Sequence, residues 1–158
     1  MSIEIAFNPI LTPAGTHAYA APVDLSQPAE RARLTSAAVK GFMRLMEAWH
    51  VPQSKARDLL GGVSNGRFAD LKRKVESGHA DEIVPLKQDE LQRISYLIGI
   101  AKSLRITHSP EFADRWMMAE NTNSLMRGRA PIDYAIKEGI PGLKKIRQLV
   151  DARRGFLA

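Results

Sequence analysis

The stretch from Leu91 to Leu104 limits the fold of this chain more than any other feature. Leu91, Ile94, Ile98, Ala101 and Leu104 recur every three or four residues, Leu97 broadens the stripe and Ile100 flanks it. On a helix these positions cover more than half the circumference. A helix that apolar needs cover on more than one side, so it belongs at the centre of a C-terminal core or in a dimer interface. Aromatic residues are only 6% of the chain, and Leu, Ile, Ala and Met supply most of the apolar mass. That balance favours packed helices over a β-sandwich. The 158 residues, 44% hydrophobic, suffice for one domain or two small ones sharing a core. The expectation is an all-α fold of about seven helices.

A second helical segment precedes this one. Leu34, Ala38, Phe42, Leu45 and Trp49 share one face of a helix expected from about Ala29 to Trp49, which Val51-Pro52 ends. A short helix from Gln53 to Leu60 stops at Gly61-Gly62, and Ser64 is a good N-cap for a helix from Asn65 to about Val75. Short helix, glycine turn, short helix is the layout of a helix-turn-helix. Ala56 falls where the two must approach closely, and Val63, Phe68 and Leu71 supply buried contacts. Gly66 weakens the third helix by up to ~1 kcal/mol relative to alanine.

Downstream, Ser109-Pro110-Glu111 opens a helix to about Met118, and a polar loop runs from Asn121 to Arg129. Pro131 starts a short helix ending near Gly139, and Pro141-Gly142 opens a last helix with Leu143, Ile146 and Val150 inward. That helix is expected to fade into Arg153-Arg154-Gly155-Phe156. Residues 1–28 contain Pro9, Pro13, Pro22 and Pro28, so they read as a flexible arm, with Ile3, Ile5 and Phe7 alternating as a short strand or docking arm. The segments are thus 1–28, 29–80 and 81–158.

The chain has no cysteine, which excludes disulfides, thiol catalysis and cysteine-ligated zinc. No apolar run approaches the ~20 residues of a membrane span. The first 28 residues hold no Lys or Arg, so they lack the basic start of a secretory signal. A soluble cytoplasmic protein is expected. His17, His50, His79 and His108 are scattered, with no ligand spacing for a metal. Neither GxxxxGK[ST] nor GxGxxG occurs, and no GxSxG surrounds Ser64-Asn65-Gly66. Asp81-Glu82 and Asp89-Glu90 flank helix starts, where they complement the helix dipole. Nothing in this inventory supports an enzyme or a cofactor.

Binding chemistry remains. Net charge is −2 over residues 1–28, +5 over 29–80 and +3 over 81–158, so the helix-turn-helix segment is the most basic. A local excess of this kind attracts polyanions, nucleic acid first. The expected DNA-binding residues are Ser64, Asn65 and Arg67 in the first turn, near base edges, and Lys72, Arg73 and Lys74 further on, near phosphates. At the other end, Arg127 and Arg129 flank Gly128, and Arg153-Arg154-Gly155-Phe156 combines forked donors with an apolar terminus.

Five ordered motifs carry a family resemblance. They are Leu91 to Leu104 (LQRISYLIGIAKSL), Ala113-Asp-Arg-Trp116, Gly128-Arg-Ala-Pro-Ile-Asp133, Gly142-Leu143 and Val150-Asp-Ala-Arg-Arg-Gly155. Over residues 29–158 the chain resembles the Xre/MbcA/ParS antitoxins, partners of RES-domain toxins in bacterial type II toxin–antitoxin pairs. The resemblance implies an Xre-like helix-turn-helix domain followed by a small helical toxin-binding domain, operator DNA as a ligand, and a homodimer within a larger toxin–antitoxin complex. RES toxins consume NAD or transfer ADP-ribose from it, and such antitoxins cover the toxin's cleft with their C-terminal end. Carried onto this chain, the toxin-binding candidates are Asp151, Arg153, Arg154, Gly155 and Phe156, with Arg127 and Arg129. Two departures stand out: Lys87 replaces a Ser or Thr cap, and Phe68 and Leu71 replace an aromatic and a Trp in the recognition helix. The competing reading is a free-standing helix-turn-helix repressor whose C-terminal half only dimerises.

Overall fold

The computed structural model describes residues 23–155, with Arg154 and Gly155 described by backbone alone. The order is α1 (Pro28–Ala48), α2 (Gln53–Leu59), α3 (Asn65–Glu76), a 3₁₀ turn (Ala80–Glu82), α4 (Gln88–Thr107), α5 (Pro110–Trp116), α6 (Pro131–Glu138) and α7 (Ile140–Gly155). Among the described residues there are seven α-helices and no strand. The all-α expectation holds. The possible strand at Ile3, Ile5 and Phe7, and Phe156, lie outside the described residues.

Pro28 occupies the first position of α1, where its fixed φ suits a helix and its missing N–H costs nothing. The face predicted for this helix is the buried one: Leu34, Ala38, Phe42, Leu45 and Trp49 all lie in the core. His50 then takes a left-handed conformation (φ 54°), and the Val51 N–H reaches back to the Met46 carbonyl at 2.9 Å, closing the end. The end of the expected arm is docked rather than free. Leu25 is buried, and the Arg31 guanidinium holds its carbonyl at 2.8 Å and that of Ser26 at 2.9 Å.

α4 sits at the centre, against α1 on one side and α7 on another. Leu91, Ile94, Leu97, Ile100 and Leu104 are buried, each removal of such a side chain from water being worth about 1.5–3 kcal/mol. The boundary expected at residue 80 does not divide the interior. One cluster of buried residues runs from Leu25 to Val150, and the buried Thr35 hydroxyl of α1 accepts the Leu86 N–H at 3.0 Å, just before α4. Between α3 and α4 lies the 3₁₀ turn, whose Ala80 is buried.

The polar loop before α6 is ordered by its own side chains. Asn121 Oδ1 accepts from the Asn123 N–H and Asn123 Oδ1 from the Leu125 N–H, both at 2.9 Å, while Met126 plugs the core. Gly139 (φ 67°) ends α6, and α7 begins at once. Arg153, Arg154 and Gly155, expected at a fraying end, form the last turn of α7. Its inward face (Leu143, Ile146, Val150) anchors it to the core up to that point.

Candidate functional site

The turn between α2 and α3 needs two residues with positive φ, and Gly61 (97°) and Gly62 (85°) supply them. The Gly62 N–H returns to the Arg57 carbonyl at 3.0 Å, and Arg57 Nε donates to the Val63 carbonyl at 2.9 Å. Ser64 caps α3, its hydroxyl accepting the Arg67 N–H at 3.1 Å. Ser64 is therefore engaged in shaping the helix start.

Asn65, Gly66, Ala69, Lys72, Arg73 and Glu76 are the exposed residues of α3. Asn65 Oδ1 accepts from Gln53 Nε2 at 2.6 Å, which joins the heads of α2 and α3. Gln53 was not anticipated. Its place as the first residue of the helix before the turn was the only available signal. Arg73 pairs with Asp70 at 2.5 Å, and Lys74 with the same carboxylate at 3.2 Å. The Arg73 hydrogen bond first, then Lys74, holds the Asp70 carboxyl below the usual carboxylate range. These pairs lie at the surface, where each is worth little.

Arg67 requires a correction. Its guanidinium is not presented to a base edge but grips Glu90 through both arms, Nη1–Oε2 at 2.5 Å and Nη2–Oε1 at 3.0 Å. Glu90 is 2% exposed and lies in the first turn of α4. A carboxylate that deep must be paired and hydrogen-bonded, and Arg67 from α3 is what pairs it. Its Oε1 also accepts the Lys87 N–H at 2.9 Å. Glu90 thus serves the helix start where Lys87 replaces the usual hydroxyl cap, and it ties α3 to α4. In the sequence it reads only as a first-turn acid.

The C-terminal candidates divide into two places. Arg127 is exposed with φ 54°, and Arg129 lays its guanidinium over the Tyr134 ring, 5.4 Å from its centroid. Asp151 lies on α7, where it accepts from Arg147 Nε at 2.7 Å and from the buried Ser103 hydroxyl of α4. Arg153 is exposed one half-turn on. The contacts of Arg129 are with Met126 and Tyr134, and those of Asp151 with Arg147 and Ser103. Asp151 is a bracing group between two helices as much as a surface one.

Among the described residues no helix is long and apolar enough to cross a membrane, and no group of three or more His, Asp or Glu is placed to hold a metal ion. Comparison with known proteins adds one relative. The chain is 29% identical over 135 residues to an uncharacterized protein, y4oB, of Sinorhizobium fredii, covering 85% of this chain and 97% of that one. No protein-family model matches the chain. No solved structure matches it.

Proposed function

We propose that this chain is a non-enzymatic antitoxin that binds a RES-domain toxin through its C-terminal segment, covers the toxin's NAD cleft, and represses its own operon through α2 and α3. The observation that supports the reading is two charged helices around one core: α3, capped and basic after a glycine turn, and α7, which carries the last two motifs with Lys144, Lys145 and Arg153 exposed. The five ordered motifs from Leu91 to Gly155 support the partner class, and the exposed Asn65, Lys72 and Arg73 support DNA as the second ligand.

Co-expression with the product of the adjacent gene tests the proposal. A stable complex, with toxin activity suppressed, is the expected result. Deletion of residues 153–158 should release that activity while the remaining chain stays helical. Operator binding should weaken with salt at a log–log slope of about −5 for about six phosphate contacts. A chain that binds its operator as a dimer but never associates with an NAD-consuming protein would be a free-standing repressor instead.

A further inference from the structure

The end of α1 faces α3 across a groove of about 370 Å³, large enough to hold a ligand or a few side chains. Met46, Ala56 and Phe68 form its buried floor, and Met43, Val51 and Val75 are half-buried along its walls. The walls leave apolar surface in water, which a further apolar group would cover. At the exposed rim Arg44 and Lys72 are matched by Glu47 and Glu76, so the rim carries no net charge. Such a groove selects an apolar, nearly neutral occupant, and a phosphate backbone has nothing to bury in it.

Among the described residues the exposed large apolar side chains are Val84, Ile106 and Phe112, no two closer than six residues in sequence. No described segment therefore offers a second copy's groove a continuous apolar strip. Residues 1–22 contain one. Ile3, Ile5 and Phe7 alternate with Glu4 and Ala6, so an extended backbone puts all three on one face. Glu4 is the only Asp, Glu, Lys or Arg in that segment, which matches a rim of balanced charge.

The length of chain suffices for the reach. Val23 and Leu25 pack at the foot of α1, where Arg31 holds the Leu25 carbonyl at 2.8 Å. Met43 lies 15 residues beyond Pro28, about 22 Å along the helix at 1.5 Å per residue. The 15 residues from Asn8 to Pro22 can span up to about 50 Å. Docking is then intramolecular, at an effective concentration on the order of millimolar, so a small apolar contact suffices.

We infer that the groove between α1 and α3 is the docking site of the chain's own residues 3–7, with Ile3, Ile5 and Phe7 on its apolar floor and Glu4 at the rim. This occupancy does not depend on the antitoxin reading.

The chain has no cysteine, so an introduced pair reports a single contact. The full chain carrying Phe7→Cys and Met43→Cys is oxidised in dilute solution. Its control carries Phe7→Cys and Ile106→Cys, the second site being exposed and outside the groove. The groove pair is expected to close within one chain at least 10-fold faster than the control. Methyl NMR of the wild type and Phe7→Asp gives a second readout. The Met43 and Met46 signals should move, while those of Met117 and Met126, buried elsewhere in the core, stay and show the fold intact. Equal closure rates, or Met43 and Met46 signals that ignore Phe7→Asp, overturn the inference. A disulfide between two chains overturns it too, and gives the groove to a second copy's arm.

Discussion

Replacing Arg67 by alanine separates two roles that the sequence leaves superimposed. As a base reader, Arg67 would cost about 1–3 kcal/mol of operator affinity on removal and almost nothing in stability. As the partner of Glu90, it is part of the fold. Removing one member of a buried ion pair costs about 3–5 kcal/mol because the other charge is stranded. Here the Arg67 side chain is 36% exposed and Glu90 only 3%, so water can reach the vacated side, and the lower end applies, about 3 kcal/mol. At about 2–4 °C per kcal/mol for a chain of this size, Arg67→Ala should lower the melting temperature by about 6–12 °C. Glu90→Gln keeps one acceptor oxygen, turns the other into an amide donor and loses the charge, and should cost about half as much. The double variant Arg67→Met, Glu90→Leu should recover most of the loss, since no buried charge is left unpaired. Thermal unfolding followed by circular dichroism reads all three. An Arg67→Ala protein that melts within about 2 °C of wild type yet binds its operator 10-fold more weakly would refute this assignment and return Arg67 to the DNA face.

Three further outcomes follow from other contacts. Asp70→Asn should strengthen operator binding and steepen its salt dependence, because it frees Arg73 and Lys74 and removes a negative charge. The Asp70 carboxyl is held low, so the pair persists at neutral pH and its small stabilising effect is lost only as pH falls through that lowered range. Gly142→Ala should destabilise by about 1–3 kcal/mol in urea unfolding, since the new Cβ would lie 2.5 Å from Glu138 Cβ and 3.3 Å from the Tyr134 ring. Gly99→Ala meets only the movable tip of Arg147, so the helix should hold or gain stability. An unchanged or raised melting temperature is the expected result.

Helices were legible in this sequence where a repeat of three and four meets a clear stop. Pro52, Gly61-Gly62, Ser64, Ser109 and Gly139 mark ends that agree with the structure to within a residue or two. Leu25 was not legible, because a single anchoring leucine has no period and its restraint comes from Arg31 on the following helix. Nor was the order of the 121–129 loop, where local Asn side chains replace any repeating pattern. At the candidate site, residue type and spacing located α3 but could not assign its charges. By position in the helix Arg67 belongs near a base edge and Lys72 near a phosphate. Only the fold places a buried carboxylate 23 residues away against one of them.

The same limitation bears on how the two ends of α4 relate. Glu90 in its first turn holds α3, and Ser103, 13 residues on, holds α7. At 1.5 Å per residue these attachments are about 20 Å apart. Between them α4 buries Leu91, Ile94, Leu97 and Ile100, a packed stretch that resists independent motion at either end. Perturbations at sites so far apart, with no shared partner, should add to within about 0.3–0.5 kcal/mol. Arg67→Ala combined with Ser103→Ala should therefore lose stability by the sum of the single effects. A coupling above about 1 kcal/mol would show that α4 transmits strain between its ends.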